Sequence, residues 1–319
     1  MRDHWTTFRH QAEYLLFRSV VCVLQILSPR QNRKLARFGA WLLTDLLPRR
    51  MTRYNVAAEN IRRMLGPDAD AAGVHAIVRD MWEHLLRMVP EMLQASRKLS
   101  LTNCRECVVF RDRAKVLEAM TTGRPVMILG GHFGNWEMSM ATFGMFGVPM
   151  GFIARAMDNP LLHEWFQRGR EKYGHRLYLK KGNFDGITDL MGAGGNLGLL
   201  GDQDAGGRGV FVDFFGTPAS TYKSIALMAM EYKALIVVGY CRRLPDDDIA
   251  GRWVRYEVGC EEVIDPCADY EDPIREITER YTQALERAIR RAPEQYFWVH
   301  RRWKSEPRRK VRAAERRAA

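Results

Sequence analysis

From Arg113 onward the chain alternates short apolar runs with amphipathic stretches of helical period, and this alternation limits the folds open to it more than any other feature. Apolar runs at 126–129, 150–154, 176–179 and 197–200 are separated by helical patterns beginning at Trp136 and covering 161–173 and 184–191, with a further helix at 113–120 ahead of them. Strands that trade places with helices in this way build an α/β fold with a mixed, mostly parallel central sheet flanked by helices. Two more strands are expected at 234–240 and 253–258 around an Asp246-Asp247-Asp248 turn, then an amphipathic helix at 273–291. The segment 210–215 is apolar enough for a strand or for the wall of an apolar channel.

Helices precede all of these strands. The patterns at 34–47, 52–65 and 71–97 are helical, the last carrying Pro90 as a candidate kink. Ahead of them, residues 14–27 are apolar apart from Arg18 and Gln25, too short a run for a span of about twenty residues, and no small-residue cleavage site comes after it. With Trp5, Phe8 and Arg9 before it and Arg30, Arg33, Lys34 and Arg37 behind it, this segment reads as an interfacial helix lying on a membrane, the alternative being a core helix. We expect residues 1–100 to form an N-terminal helical membrane-associating extension, 101–304 the α/β domain and 305–319 a basic tail. The net charge is +11, and from Arg301 onward nine basic residues face two acidic ones, so this tail holds most of the excess. It suits anionic lipid, nucleic acid or an acidic protein, or is simply solvated.

The stretch V-M-I-L-G-G-H-F-G-N-W-E, 126–137, carries the chemistry. A buried strand stopping at Gly130-Gly131 places His132 at its C-terminal mouth, the side of an open α/β sheet where ligands bind. Five residues along a helix turn through roughly 140°, so His132 and Glu137 meet only if the chain bends between them. Gly134 supplies the bend and Asn135 a cap for a helix from Trp136. A carboxylate on one imidazole nitrogen raises the basicity of the other, which then takes a proton from a hydroxyl. No serine accompanies the pair, which points to direct transfer onto an acceptor hydroxyl. Two ligands without an H-E-x-x-H pattern give no metal site.

The block G-H-F-G-N-W-E resembles the H-x-x-x-x-(D/E) block of the lysophospholipid acyltransferase superfamily, specifically its bacterial lipid A late acyltransferase branch, the lauroyl and myristoyl transferases. Arg155 with Asp158-Asn159-Pro160, the segment G-D-Q-D-A-G at 201–206, V-F-V-D-F-F-G-T-P-A-S-T at 210–221 and W-V-H-R-R-W at 298–303 resemble further blocks of that branch in the same order. The resemblance implies transfer of an acyl chain from a thioester to a hydroxyl of a lipid A precursor or related glycolipid, at the cytoplasmic face of the bacterial inner membrane. The implied donor is acyl-acyl carrier protein, with acyl-CoA open, and no cofactor is called for. His132 is then the general base and Glu137 its orienting partner. Arg155 is a phosphate or oxyanion contact, and Arg170 and Asp202 are further candidates for holding substrate or supporting the site. Where that branch commonly has a proline after the strand at 234–238, this chain has Gly239-Tyr240, so acyl-chain or acceptor preference can differ. The alternatives are another membrane acceptor, such as a phosphatidylinositol mannoside or a lysolipid, or a non-enzymatic basic protein that binds membrane or nucleic acid; no nucleic-acid partner is expected on the leading reading.

Other motifs are weaker. The run 192–198, G-A-G-G-N-L-G, fails the dinucleotide fingerprint because Leu197 stands where its third glycine belongs and the run precedes a strand. It reads as a helix C-cap and turn, and no nucleotide is expected. Six cysteines in 319 residues, with one isolated C-x-x-C at 104–107, argue for reduced thiols in a cytosol-facing protein.

Overall fold

The computed structural model describes residues 2–154, 156–179, 184–246 and 253–307. Arg155, Asp247, Asp248 and the tail from Arg308 onward lie outside the described residues. Helices α1 (Arg2–Ile26), α2 (Pro29–Trp41), α3 (Tyr54–Leu65), α4 (Ala71–Lys98) and the single turn α5 (Cys104–Cys107) come first, with a π turn at Leu42–Leu46 continuing α2. Next in the chain are β1 (Val108–Arg111), α6 (Arg113–Thr121), β2 (Val126–Gly130), α7 (Trp136–Met145), β3 (Gly151–Ala154), α8 (Pro160–Glu171), β4 (Arg176–Leu179), α9 (Phe184–Gly192) and β5 (Asn196–Leu200). The chain then runs through β6 (Val210–Phe214), β7 (Thr217–Thr221), α10 (Lys223–Glu231), β8 (Leu235–Arg243), β9 (Tyr256–Ile264) and α11 (Pro273–Arg290).

Local chemistry explains where the helices start. Ser28 and Gln31 form a reciprocal capping box on α2 behind Pro29, Asp70 caps α4, Asn135 caps α7, and Asn159-Pro160 and Asp272-Pro273 open α8 and α11. The large sheet has the order β1-β9-β8-β2-β5-β3-β4, and its five strands from β8 to β4 are parallel. β9 returns antiparallel beside β8, and β1 runs parallel to β9. Side chains of β2 alternate between the faces. Met127 and Leu129 pack with α11 residues such as Ile277 and Tyr281, whereas Val126 and Ile128 pack with Ala119 of α6 and Phe143 of α7. The mixed α/β architecture agrees with the alternation in the sequence.

Two strands fall outside that pattern. β1 has an apolar run of only three residues, Val108–Phe110, and is exposed along most of its length, while β7 is interrupted by Pro218. β7 pairs with β6 in a two-stranded hairpin, where both strands are edges and tolerate proline. The strand expected at 253–258 begins at Tyr256 and runs to Ile264.

The N-terminal helices are built into the domain. Tyr54, Ile61, Val78 and Met81 share one buried cluster with Phe214, Tyr296 and Trp298. Phe17 of α1 stacks edge-on against Trp165 of α8 at 4.9 Å. The C-terminal carbonyls of α1, which have no partners within the helix, are capped from α4: Gln94, fully buried, donates to the Leu24 and Leu27 oxygens at 2.8 and 2.9 Å. The opposite face of α1 stays apolar and bare. Trp5, Phe8, Leu15, Leu16, Val20, Val23 and Ile26 are all exposed and fall within an arc of about 140° at helical spacing. Among the described residues no helix is long and apolar enough to cross a membrane. Gln94→Leu should leave the two α1 carbonyls and the Trp253 indole N–H, now bonded to Gln94 Oε1, without partners. The expected loss is about 1–3 kcal/mol per buried group left unpaired, read by urea denaturation; an unchanged midpoint would mean that water replaces the cap.

Candidate active site

Strand register brings the central pair together. β2 and β5 pair in parallel with a constant offset, Val126 with Asn196 and Gly130 with Leu200. Carried two residues beyond the strand ends, the same offset sets His132 beside Asp202. The Asp202 carboxylate accepts twice from His132, from the ring Nδ1 at 2.8 Å and from the backbone N–H at 2.7 Å. Gly131 eases this approach, since a β-carbon there would crowd Asp202 Oδ2 at 3.2 Å.

Asp202 is 3% exposed, and its charge is sustained by the pair. Burial works against its ionisation, but the charge and hydrogen bonds of His132 outweigh it and hold its pKa below the ordinary carboxylate value. Burial likewise disfavours a charged His132, and the Asp202 charge and hydrogen bond outweigh that too, raising the imidazole above its usual value. Behind them the Tyr296 hydroxyl stays protonated, pushed well up by burial and by the Asp202 charge. With Nδ1–H committed to Asp202, Nε2 of neutral His132 carries the lone pair. It faces the cleft, with the Gln203 amide nitrogen 3.5 Å away, too far for a firm bond.

Glu137 sits in the first turn of α7, as expected from Asn135, yet its carboxylate accepts from Arg170 Nη2 at 2.8 Å. The carboxylate on the His132 ring is therefore Asp202. The reason is geometric: α7 carries Glu137 away past Trp136, whose indole lies edge-on to the imidazole at 5.1 Å. His132, Glu137 and Arg170 all line one cleft of about 550 Å³, which continues under α7 between apolar Ile128, Met140, Phe152 and Leu199. Arg155 lies outside the described residues.

The loop bearing His132 is held from every side. Gly134 adopts φ +62°, and a β-carbon there would collide with the Cys241 carbonyl at 1.9 Å. Its N–H donates to Gln295 O at 2.9 Å, Asn135 N–H donates to Cys241 O at 2.7 Å, and Phe297 N–H donates to His132 O at 3.0 Å. Beneath lies a buried polar network that the sequence does not announce. His84 Nε2 donates to Gly134 O at 3.1 Å while Arg243 donates to His84 Nδ1 at 2.7 Å. The guanidinium can only donate, so the His84 tautomer is fixed. Burial, then the neighbouring Arg243 charge, depress its pKa well below normal and keep it neutral. Glu91 bonds both Arg243 and Tyr256, and the Tyr256 hydroxyl accepts from Asn135 Nδ2 at 3.0 Å. These residues are scattered over α4, β8 and β9, and no local motif marks them.

The W-V-H-R-R-W segment clasps the site from the C-terminal end. Arg302, 2% exposed, donates to Ser220 O at 2.5 Å and Thr221 Oγ1 at 2.6 Å, while Ser305 donates its hydroxyl to Asp204 at 3.1 Å. Asp246 accepts from both Arg87 and Arg33 and so ties α4 to α2. The turn at Gly192–Gly195 leads from α9 into β5, with Gly194 at φ +77°. All six cysteines are free thiols.

The chain is similar in sequence to known proteins. The model of a family described as bacterial lipid A biosynthesis acyltransferase matches residues 2–305. The chain is 29% identical over 193 residues to the lipid A biosynthesis palmitoleoyltransferase of Escherichia coli (strain K12), covering 59% of each chain. It is 28% identical over 202 residues to the lipid A biosynthesis lauroyltransferase of the same organism, covering 63% of this chain and 62% of that one. A lipid A biosynthesis acyltransferase of Haemophilus influenzae is 24% identical over 183 residues, 57% of this chain and 54% of the relative. The chain thus spans about three fifths of the length of the curated relatives it matches.

The buried network generates a prediction. Removing one partner of a buried ion pair strands the other charge, so Glu91→Ala should cost about 3–5 kcal/mol. Replacing the pair by apolar residues of similar size, Glu91→Leu with Arg243→Met, should cost less, the remaining loss coming from His84 Nδ1 and the Tyr256 hydroxyl, which lose these partners. Chemical denaturation of both variants checks this; equal losses would mean that the charges themselves hold the fold.

Proposed function

The chain belongs to the bacterial lipid A biosynthesis acyltransferase family, and from that premise we propose that it moves a fatty acyl chain from a thioester to a hydroxyl of a lipid A precursor or related glycolipid. The observation that carries the reading is the His132–Asp202 pair at the mouth of a deep, largely apolar cleft, its Nε2 open to substrate. Acyl-acyl carrier protein is the donor on this reading, as the resemblance implies.

In the proposed reaction the acceptor hydroxyl approaches His132 Nε2, which takes its proton as the oxygen attacks the thioester carbonyl. The tetrahedral intermediate collapses, the carbon–sulfur bond breaks, and the departing thiolate receives the proton from the imidazolium. Asp202 holds the tautomer and stabilises the transient positive charge, so the orienting role passes from Glu137 to Asp202. Glu137 and Arg170 form a polar wall of the cleft and are assigned to the acceptor. Arg155 keeps its proposed role as a phosphate or oxyanion contact. The bare apolar face of α1 is assigned to the cytoplasmic surface of the inner membrane, where a lipid acceptor resides.

His132→Ala should lower kcat/KM by about 10²- to 10⁴-fold in a folded protein; near wild-type transfer would refute the base assignment. The pH profile has a definite sign. Between the depressed pKa of Asp202 and the raised pKa of His132 the pair is ionic and the base is protonated, so activity should rise only as pH passes the raised His132 value. Asp202→Asn removes the influence that raises it, and the acidic limb should move to lower pH with a smaller plateau; a limb that stays in place would remove Asp202 from the mechanism. The stability contribution of the raised His132 is present at low pH and lost as pH rises through the folded value, while that of depressed Asp202 is lost as pH falls through its own.

For the membrane, substituting Trp5, Leu16 and Val23 with polar residues should reduce partitioning onto anionic vesicles by about tenfold each. A high-salt wash alone should not release the unaltered protein, and complete release would show that binding is purely electrostatic.

A further inference from the structure

If the acyl chain arrives as a thioester on a carrier protein, as proposed above, that protein has to seat beside the cleft, and the surface assigned to it rests on that reading. Three segments, 203–209, 219–224 and 299–307, are laced together where β5 ends. Arg302 ties the last of them to Ser220 O and Thr221 Oγ1, the Ser220 hydroxyl donates to Gly206 O at 2.5 Å, and Ser305 donates its hydroxyl to Asp204 at 3.1 Å. Each segment also reaches the site. Gln203 lines the cleft, as do Tyr222 and Ser224 on either side of Lys223. The His300 ring, next to Arg301 in the chain, stands close enough to His132 and Asp202 for their charges to act on it.

These segments project four cations. Arg208, Lys223, Arg301 and Lys304 are all exposed, and among the described residues none of the four has an ion pair or a side-chain hydrogen bond. On other faces Arg168, Arg170, Arg275 and Arg287 each meet a carboxylate. Of the two carboxylates on the three segments, Asp204 is occupied by the Gly206 N–H and by Ser305, which leaves Glu306 as the exposed one. Like charges gathered without counter-charges raise a positive potential at the cleft mouth, and an anionic partner is drawn to it. The patch is poorly suited to a bilayer, which takes apolar anchors as well as charge. Among the described residues from 160 to 307, Leu200 and Leu227 are the large apolar side chains left exposed, whereas α1 bares a whole apolar face.

We propose that Arg208, Lys223, Arg301 and Lys304 form the docking surface for an acidic acyl-carrier protein, which seats on this rim and presents its thioester at His132. The bare face of α1 and the Glu137–Arg170 wall then remain for the membrane and the lipid acceptor.

The test uses two double variants of the full-length protein, Arg208→Glu with Lys223→Glu and Arg301→Glu with Lys304→Glu, so that poor folding of one leaves the other. Each is assayed with one glycolipid acceptor and the same acyl chain on two donors, acyl carrier protein and N-acetylcysteamine, a short neutral thiol. Either variant should raise KM for the carrier-borne donor by about tenfold or more at low ionic strength with little change in kcat, and added salt should narrow the difference. Transfer from the short donor should be unaltered. Equal losses with both donors would overturn the assignment. So would a rise in KM for the acceptor alone, which would give the patch to the glycolipid's phosphates, or weaker binding to anionic vesicles at an unchanged donor KM, which would give it to the membrane. Calorimetric binding of the acyl carrier protein reads the surface without turnover. Carrier binding that the variants lose, in a protein that transfers nothing even when unaltered, would retire the reaction alone; carrier binding that is absent, or that both variants keep in full, would retire the surface.

Discussion

A carboxylate almost wholly removed from water must be repaid in hydrogen bonds, and at Asp202 that repayment comes chiefly from His132, through both its ring and its backbone N–H. This double contact dictates much of what surrounds it. The preceding residue is a glycine, where a β-carbon would crowd Asp202 Oδ2 at 3.2 Å, the loop has to return its amide toward the β5 end, and the imidazole is left with a single free nitrogen pointing into the cleft. The two depend on one another electrostatically: each keeps the other charged against the penalty of burial.

The position of that pair is a property of the sheet. Parallel strands end at a common rim, and adjacent strands β2 and β5 deliver their next residues to the same place. β8 runs on beyond that rim and supplies the Cys241 carbonyl to Asn135, while Gln295 and Phe297 close the loop from the C-terminal side. On the proposed reading, immobilising the base in this way reduces the reorganisation that would otherwise accompany proton transfer. The buried network of His84, Glu91, Arg243 and Tyr256 extends the same scaffold into α4. Its net contribution to stability is expected to be small because desolvation offsets the Coulomb attraction, but it fixes the Gly134 carbonyl and the Asn135 side chain in direction.

The N-terminal helices serve two surfaces at once. One side of α1 is docked through Phe17 and the Gln94 cap, and α3 and α4 share a core with the β6–β7 hairpin and the terminal aromatics. The other side of α1 exposes large apolar residues, a cost in water that an interfacial location removes. On the proposed reading the same arrangement sets the catalytic cleft beside the lipid phase that holds its acceptor.

The alternation of apolar runs and helical periods was enough to read the mixed α/β sheet, most of its strands and the capped start of α7, because these depend on spacing along the chain. His132, Glu137 and Asp202 could also be named from the chain, the first two from their bend and the last from an ordered block, and Arg170 was named as a further candidate outside those blocks. The partnership among them could not be read. Whether His132 meets Glu137, five residues away, or Asp202, seventy residues away by the β2–β5 offset, depends on which strands are neighbours, and periodicity carries no record of strand order. β1 and β7 were missed because they lie at edges, the one with an apolar run of only three residues and the other broken by Pro218, and the polar network because its members are distant in sequence and buried only by packing. Local propensity and periodicity therefore determined the elements, and tertiary register decided which side chains share a site.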